Sequence, residues 1–390
     1  MTLKQHHAPF RVMTSALALL GLAAQSGTRA QAQQYLYVAD SDGFSASSGI
    51  LRYNLDGSFA PSAGQSGASF VLSDTQSMNS NLDDPEFLTL GPDGNLYVSD
   101  ENGIGNQPGT ALLRYNGLTG APAPSGQPGP SGTGPEGAYF NYNQVGFPAG
   151  LTFGPDGDLY VVNDVFGDSV VDRYGLDGTF LGAFTQNLTP GHGVNLSNPL
   201  GLTFGPNGNL YVTSDSFGGG SGFIAEFDGT TGAFIKNFVA PGSGGLVSPT
   251  ALTFGPDNDL YVVDAGGAGV GGVLRYDGQT GAFLNTFVAG TETGAAHPAD
   301  AAFGPDGDLY LAAFSNYGIS RYDSRGRFVD YFVPNDTTGT GRASGGLINP
   351  TALTFGPRAA VPEPSSWALL LVGGMALGLR LRAAKRRRAS

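Results

Sequence analysis

Residues 151–162 read LTFGPDGDLYVV, and this phrase decides the fold because it recurs along the chain. Closely similar phrases occupy residues 88–100, 202–212, 252–264 and 301–311. Their central tyrosines recur at intervals of roughly 50 residues, at Tyr97, Tyr160, Tyr211, Tyr261 and Tyr310. A repeat of this length is typical of propeller blades or of solenoid coils.

Each copy of the phrase predicts a β-hairpin. The flanking segments alternate at period two and are rich in β-branched and aromatic residues, which favours strands. The Gly-Pro-Asp-Gly stretch between them favours a tight turn, because proline presets φ, aspartate bonds to its own backbone and glycine accepts positive φ. A Gly-Pro turn in every unit excludes helical repeats.

A second phrase, with the form ILRYNLDGSF, follows each copy of the first. It occurs at residues 50–59, 112–120, 171–180, 224–234, 273–283 and 319–328. Its short Asp/Gly turn predicts a second hairpin. Two hairpins make a four-stranded sheet with strands A to D, which is one propeller blade.

The number of blades follows from the incomplete copies at the two ends. The first phrase occurs whole five times and the second six times. Residues 35–40 (YLYVAD) predict a strand B without a strand A, and residues 351–357 (TALTFGP) predict the reverse. The sequence therefore predicts an all-β, six-bladed β-propeller over residues 33–357, closed by pairing of its N- and C-terminal strands.

The blades resemble those of the NHL family of propellers, whose pattern includes an Asp-Gly turn followed by LYVAD. Residues 36–40, 96–100 and 260–264 match that core closely. The resemblance implies that catalysis is conceivable, since some such propellers are lyases with a histidine-bound metal and lactonases use a carboxylate-bound cation.

The composition limits the partners of the chain. Its 390 residues include no cysteine, which excludes disulfides and thiolate metal sites. The net charge is −13, and residues 33–357 are more acidic, with 9 basic and 31 acidic residues (9 − 31 = −22). Such a body repels nucleic acid and attracts divalent cations, so no nucleic-acid partner is expected. We expect a monomer.

Residues 1–32 are predicted to be a secretory signal peptide. A mildly basic start precedes an apolar run, and residues 30–32 (AQA) form a small-x-small cleavage pattern. An uncleaved anchor is the alternative, although the apolar run is short for a membrane span.

The C-terminus has three parts: a linker over residues 358–364, an apolar segment over 365–380 and a basic end over 381–390. The apolar segment is interpreted as a transmembrane helix, with a buried core helix as the alternative, and the basic end as a cytoplasmic tail. The whole resembles the PEP-CTERM sorting signal of Gram-negative bacteria, with the motif Val361, Pro362, Glu363 and Pro364. The resemblance implies that an exosortase is a partner and that the body is first tethered to the membrane, then released or transferred at the cell surface. It also implies that the protein accompanies exopolysaccharide or biofilm production.

The B–C and D–A loops are long and should share one face of the ring, which we call the loop face. Five acids lie at or just past the end of strand B: Asp40, Asp100, Asp164, Asp215 and Asp264. They could hold Ca²⁺ or another hard cation, with His192 and His297 from D–A loops as further ligands, or each could cap its own loop. Arginines recur on strand C, and they are expected to form ion pairs with these acids: Arg52, Arg114, Arg173, Arg275 and Arg321.

Two functions follow from these observations. The main hypothesis is a non-enzymatic exported surface or matrix protein that binds polysaccharide or protein through the loop face. No nucleophile elbow, phosphate loop or His-x-x-x-His spacing is present, so no catalytic residue is assigned. The alternative is a metal-dependent lyase or lactonase of the NHL-like type, which needs the histidines and loop-face acids to converge on one metal.

Overall fold

The computed structural model describes residues 34–356 with several gaps in the loops. The gaps are residues 42–48, 73–81, 83, 101–110, 124–137, 141–146, 165–168, 186–195, 216–220, 267–270, 293, 315–317 and 335–343. The predicted signal peptide and the whole C-terminal tail, with Val361 to Pro364, lie outside the described residues. Among the described residues no helix is long and apolar enough to cross a membrane.

Six four-stranded antiparallel sheets make up the described body. Blade 1 contains β24 (Pro350–Phe355), β1 (Tyr35–Asp40), β2 (Gly49–Asn54) and β3 (Ser69–Leu72). Blade 2 contains β4 (Pro85–Leu90), β5 (Asn95–Asp100), β6 (Ala111–Asn116) and β7 (Ala138–Phe140). Blade 3 contains β8 (Phe147–Phe153), β9 (Leu159–Asp164), β10 (Val170–Tyr174) and β11 (Phe180–Ala183).

The other three blades repeat this order of strands A to D. Blade 4 contains β12 (Leu202–Phe204), β13 (Leu210–Ser214), β14 (Phe223–Phe227) and β15 (Phe234–Val239). Blade 5 contains β16 (Pro249–Phe254), β17 (Leu260–Asp264), β18 (Gly272–Tyr276) and β19 (Phe283–Ala289). Blade 6 contains β20 (Pro298–Phe303), β21 (Leu309–Ala313), β22 (Gly318–Tyr322) and β23 (Phe328–Val333). One 3₁₀ turn, Ser243–Gly245, precedes β16.

The ring closes as the sequence predicts, through pairing of the last strand with the first. β24 pairs antiparallel with β1, and the register sets Leu36 opposite Phe355 and Val38 opposite Leu353. Strands A form the inner ring, since each packs against the strand A of the next blade in the cycle β24, β4, β8, β12, β16, β20 and back to β24. The predicted six-bladed, all-β propeller is confirmed.

The strand-B tyrosine explains why the phrase repeats. Tyr160 is fully buried and stacks edge-on against Phe184 of its own blade and Phe204 of the next, with ring centroids 4.8 and 4.9 Å apart. Its hydroxyl donates to the Asp156 carboxylate of the A–B turn at 2.8 Å. The same residue thus packs two blades together and holds the turn. Equivalent aromatic triplets surround Tyr211, Tyr261 and Tyr310.

The predicted pairing of the strand-C arginines with the strand-B-end acids is wrong. Arg173 instead binds Asp156 and Asp158 of its own A–B turn, at 2.6 and 2.7 Å. The register of β9 with β10 sets Arg173 opposite Tyr160, near the turn. Asp164 lies four residues farther along the strand, about 13 Å away at the usual rise. Arg275 repeats this arrangement with Asp257 and Asp259.

In blade 4 the strand-C position that is arginine in the other blades is Glu226, and the residues of the A–B turn that contact it differ as well. Its A–B turn has Asn207 and Asn209 where blade 3 has aspartates. The two amides donate to Glu226 Oε1 at 3.3 and 2.8 Å, and the Tyr211 hydroxyl donates to it at 3.0 Å. A buried carboxylate therefore replaces the guanidinium, and amide donors replace the carboxylates that would have repelled it.

This exchange predicts a rescue between turn and strand. The double substitution N207D/N209D should lower the free energy of unfolding by about 2 kcal/mol, because it sets two new carboxylates beside buried Glu226. Adding E226R should recover most of that loss by recreating the ion pairs seen in blade 3. Urea unfolding of the parent, the two component variants and the triple variant completes the cycle. An E226R effect that is equal in both backgrounds would refute the coupling.

Candidate functional site

The inner ring opens onto the loop face at the start of each strand A. A proline stands there in every blade, and the residue before it marks the rim of the central channel. We call these six residues the channel mouth: Asp84, Phe147, Asn198, Ser248, His297 and Asn349. Five of the six are polar, although the inner strands behind them are mostly apolar. The channel mouth is therefore the candidate site.

Hydrogen bonds between neighbouring blades hold the mouth residues in place. Ser41, just past strand B of blade 1, donates to the Asp84 carboxylate of blade 2. Ser248 of blade 5 donates through Oγ to Asp215 of blade 4 at 2.9 Å. Both pairs join the residue after strand B of one blade to the mouth residue of the next blade. The serine follows strand B in the first pair, and the aspartate does so in the second. Each ties the rim of one blade to the next, between blades 1 and 2 and between blades 4 and 5.

Three of the predicted acids, Asp40, Asp100 and Asp264, cap backbone groups in the loop that leads into their own strand A. Asp40 accepts from the Ile348 N–H at 3.0 Å, and Asp264 accepts from the Ser248 N–H at 2.7 Å. Asp100 accepts from the Asp84 N–H at 3.2 Å. All three are buried and lie opposite the proline that opens strand A.

Asp164 and Asp215 occupy a different position, one residue farther along. In blade 3 the residue opposite the proline is Asn163, whose amide donates to the buried Asp172 carboxylate at 2.7 Å. Asp164 accepts instead from the Ser169 hydroxyl. In blade 4, Asp215 follows the end of β13. The five predicted acids therefore form two sets with different partners.

The predicted cation ligands are not brought into one shell by the described residues. No group of three His, Cys, Asp or Glu side chains converges within the described part of the chain. His192 lies in the gap at 186–195, and His297 is exposed at the mouth, with φ of 52° and a carbonyl that accepts from the Phe314 N–H. Ca²⁺ binding stays a prediction, and no chemical step is assigned to a cation.

The charge distribution separates the two faces of the ring. Residues 33–357 contain nine basic residues, of which eight are described and the ninth, Arg342, lies in a gap. All eight lie on strands C and D or in the turns between those strands: Arg52, Arg114, Arg173, Lys236, Arg275, Arg321, Arg325 and Arg327. Among the six mouth residues, all of them described, Asp84 is the one acid and there is no Lys or Arg.

One acid that the sequence analysis missed, Asp300, lies within the inner ring itself. It is the third residue of β20, and its carboxylate accepts from the Leu353 N–H of β24 at 2.9 Å and from the Ala301 N–H at 2.8 Å. At the same place the other blades have a residue with no charge: Phe87, Gly150, Gly201, Ala251 and Ala352.

The surroundings of Asp300 change its acidity. Burial between the inner strands raises the pKa of its carboxyl to about 7, although the two backbone N–H groups act in the opposite direction. At neutral pH the carboxyl is therefore protonated in about half of the molecules and ionised in the rest. A group with these properties in a concave site is a candidate for proton transfer.

The raised pKa also predicts how stability depends on pH. Between about pH 4 and pH 7 folded Asp300 keeps a proton that the unfolded chain has lost, so stability should fall as the pH rises through this range. The slope from this group is at most about 1.4 kcal/mol per pH unit. Asp300→Asn should remove it while keeping an oxygen for the Leu353 N–H. Urea unfolding at pH 5 and pH 8 tests this, and equal slopes in both proteins would contradict it.

The sequence carries a signal that could have found Asp300. The six strands A align on their opening proline, which precedes the glycine of the Gly-Pro turn by six residues in every blade, and Asp300 is then the only charged residue two positions after the proline. The mouth residues emerge from the same alignment, one position before the proline.

Comparison with known proteins supports the fold. No family model matches the chain, and no curated protein matches it in sequence. A protein of unknown function from Bacteroides caccae is similar in structure, with a TM-score of 0.53 and 14% identity over 83% of this chain and 98% of that chain. This body is therefore a six-bladed β-propeller.

Two further solved structures are more distant. A gluconolactonase from Xanthomonas campestris has a TM-score of 0.46 and 15% identity, over 66% of this chain and 78% of that chain. A virginiamycin B lyase from Staphylococcus aureus has a TM-score of 0.43 and 18% identity, over 65% of this chain and 71% of that chain. At these levels the likeness concerns the fold alone.

Proposed function

We propose that the channel mouth is the active site of an enzyme of the lyase or lactonase type, with Asp300 as its acid–base group. The observation that carries the proposal is the half-buried carboxyl of Asp300, which is hydrogen-bonded between β20 and β24 and whose pKa is raised to about 7. Both reaction types need a group that accepts a proton in one step and returns it in another. A carboxyl divided between its two forms at neutral pH can do both.

The charge of the mouth narrows the substrate. With Asp84 at the rim, Asp300 behind it and a net charge of −22 over residues 33–357 (9 − 31 = −22), an anionic substrate would be repelled. Neutral lactones and neutral glycans are compatible with this field. In lactone hydrolysis the base form of Asp300 would take a proton from the attacking water, and its acid form would protonate the departing ring oxygen.

Proton release on neutral sugar lactones and ultraviolet absorbance of new double bonds on lyase substrates test the proposal. Asp300→Asn should lower kcat by at least about 100-fold, and the parent rate should change with an inflection near pH 7. Asp177→Asn, in an exposed C–D turn of blade 3, is the matched loss of a carboxylate elsewhere. Turnover that survives in Asp300→Asn would remove Asp300 from the mechanism. Whether the parent rate depends on added Ca²⁺ or falls with a chelator tests the need for a cation.

A second candidate is a non-enzymatic surface protein that binds polysaccharide through the same face. Phe147 and Phe314 favour it, because they are 45% and 40% exposed on the loop face and sugar rings stack on exposed aromatic faces. Retention of the body on neutral polysaccharide should then be lost in F147A/F314A and kept in Asp300→Asn. The reverse pattern supports the enzyme.

We also propose the export route inferred from the two ends of the chain. Residues 1–32 would be removed on export, and an exosortase would act at Val361 to Pro364 before release or transfer of the body to the surface or matrix. Expression in a host with and without an exosortase, followed by fractionation and mass spectrometry of the termini, tests the route. A mature chain that keeps residues 361–390 in the presence of the exosortase would refute it.

A further inference from the structure

We propose that Lys236 and Asn209 form an intramolecular isopeptide bond in blade 4, with Glu226 as the group that transfers the proton. The bond joins strand D of the blade to its A–B turn. It is a covalent cross-link in a chain that contains no cysteine. The three residues lie away from the channel mouth, so the proposal succeeds or fails independently of any turnover there.

The residue type at position 236 sets this blade apart. Lys236 is the only lysine in residues 33–357, where the other eight basic residues are arginine. It lies on β15 directly opposite Glu226 of β14. Arginine forms every other ion pair among the described residues, so an ion pair alone does not require a lysine here. Lysine differs from arginine because it can lose its proton and then attack a carbonyl carbon.

Glu226 contacts both reacting groups from a buried position. Its Oε1 accepts from the Asn209 amide at 2.8 Å, and its Oε2 lies 3.6 Å from Lys236 Nζ. The Tyr211 hydroxyl donates to Oε1 at 3.0 Å and holds the carboxylate in place. One carboxylate therefore contacts the amine and the amide at the same time, which is the position that a proton-transfer group between them needs.

The strand order brings the lysine and the asparagine to the same carboxylate. Asn209 directly precedes β13, so it and Lys236 lie on either side of strand C, with backbones about 10 Å apart at the usual strand spacing. Lys236 Nζ also lies 5.0 Å from the centre of the Phe238 ring, so its side chain packs along the blade instead of extending into solvent. The nucleophile is thus already folded back toward Glu226.

The backbone supplies the remaining catalytic group. The Gly229 N–H donates to Asn209 Oδ1 at 3.4 Å, and this oxygen gains negative charge when the amide carbon is attacked. A donor at this oxygen stabilises the tetrahedral intermediate. Lys236 is half-exposed, which leaves a path to solvent for the leaving group.

The reaction needs no further reagent. The neutral amine of Lys236 forms a bond from Nζ to Asn209 Cγ and passes one proton to Glu226. The bond from Cγ to the amide nitrogen breaks, and that nitrogen takes the proton from Glu226 and leaves as ammonia. Nothing is oxidised or reduced, and Glu226 ends in the ionised form in which it began.

Other blades lack this combination. In the three other blades where the strand-C charge has a described partner on strand D, the strand-C residue is arginine and the partner is not lysine: Arg173 with Gly182, Arg275 with Asn285, and Arg321 with Asp330. Their A–B turns have an aspartate where blade 4 has Asn209. A carboxylate resists attack by an amine because it is already negatively charged. Nucleophile, acid–base group and acceptor thus occur together in blade 4.

The mass of the intact full chain tests the proposal directly. After incubation of the folded chain at pH 8, the mass should fall by one NH₃, whereas deamidation would replace NH₂ by OH and raise it. Trypsin gives a second measurement, because Lys236 is the only site of cleavage between Arg173 and Arg275. A linked lysine is not cleaved, so residues 174–275 should be recovered as one peptide that lacks NH₃.

K236R is the matched control, since it keeps the positive charge beside Glu226 and supplies no amine nucleophile. It should keep its full mass and be cleaved at residue 236. E226Q and N209A should also keep their full mass, whereas N207A should lose NH₃ like the parent. The parent held in urea during the incubation should not lose it, because the groups meet only in the folded blade.

The outcomes decide the proposal without reference to variants that fold poorly. A folded parent that keeps its full mass and is cleaved at Lys236 would refute the bond, and so would an equal loss of NH₃ in K236R. A link that persists in N209A and is absent in N207A would overturn the choice of acceptor. A link that forms equally fast in E226Q would remove Glu226 from the reaction.

Discussion

A chain that ends at residue 349 is expected to lose cooperative folding, whereas a chain that ends at residue 357 keeps it. The shorter chain lacks β24, which supplies strand A of blade 1. Leu353 and Ala352 are almost fully buried, and the loss of their burial alone costs about 3 kcal/mol. The truncation also exposes the edge of β1. It removes two hydrogen bonds between blades, from Thr351 Oγ1 to the Pro85 carbonyl at 2.8 Å and from the Leu353 N–H to the Asp300 carboxylate.

These losses together are large against the 5–15 kcal/mol that stabilises a typical domain. Urea unfolding followed by circular dichroism, with size-exclusion chromatography for association through the open edge, provides the measurement. The chain that ends at residue 357 is the matched control because it removes only the tail. A cooperative transition of the same midpoint in both chains would show that β24 does not close the ring.

Gly281→Ala is expected to destabilise the protein by about 3 kcal/mol or more, and Gly157→Ala by about 1 kcal/mol. Both glycines have positive φ, +73° and +86°, so both substitutions incur the cost of a left-handed side-chain residue. A Cβ at Gly281 would in addition lie 1.9 Å from the Phe238 carbonyl oxygen of the preceding blade, whereas nothing lies within 4 Å at Gly157. The difference between the variants isolates the contact between blades.

The same contact recurs around the ring, which explains the glycine late in the second phrase. Gly232 lies against the Phe184 carbonyl and Gly326 against the Phe287 carbonyl, both at 1.9 Å for an added Cβ. Urea unfolding of Gly281→Ala and Gly157→Ala under identical conditions gives the comparison. Equal losses in the two variants would mean that the turn moves away from the neighbouring strand at no cost.

Much of the fold was predictable because its signals are local. The Gly-Pro-Asp-Gly turn, the period-two alternation and the Asp-Gly turn of the second phrase each involve a few consecutive residues. Counting incomplete phrases extended this to the closure, which β1 and β24 confirm. The partners of Arg173 were not predictable in this way, because the strand register decides which acids come within reach.

The candidate site was harder to predict for the same reason. The five strand-B acids look equivalent along the chain, yet a one-residue difference sets Asp264 opposite a proline and Asp164 beyond it. Asp300 drew no attention as a single acid in an apolar strand, and its altered pKa arises from packing between β20 and β24.

By itself, the sequence determined the unit of this protein and the number of its copies, because turn chemistry and alternation are properties of neighbouring residues. The tertiary structure decided which side chains meet. It paired Glu226 with amides, seated Gly281 on a carbonyl of the preceding blade, and brought Asp300 and Phe87 to the same depth of the channel. Residues that lie more than 200 positions apart come together only when six sheets close into a ring, and no local pattern records that distance.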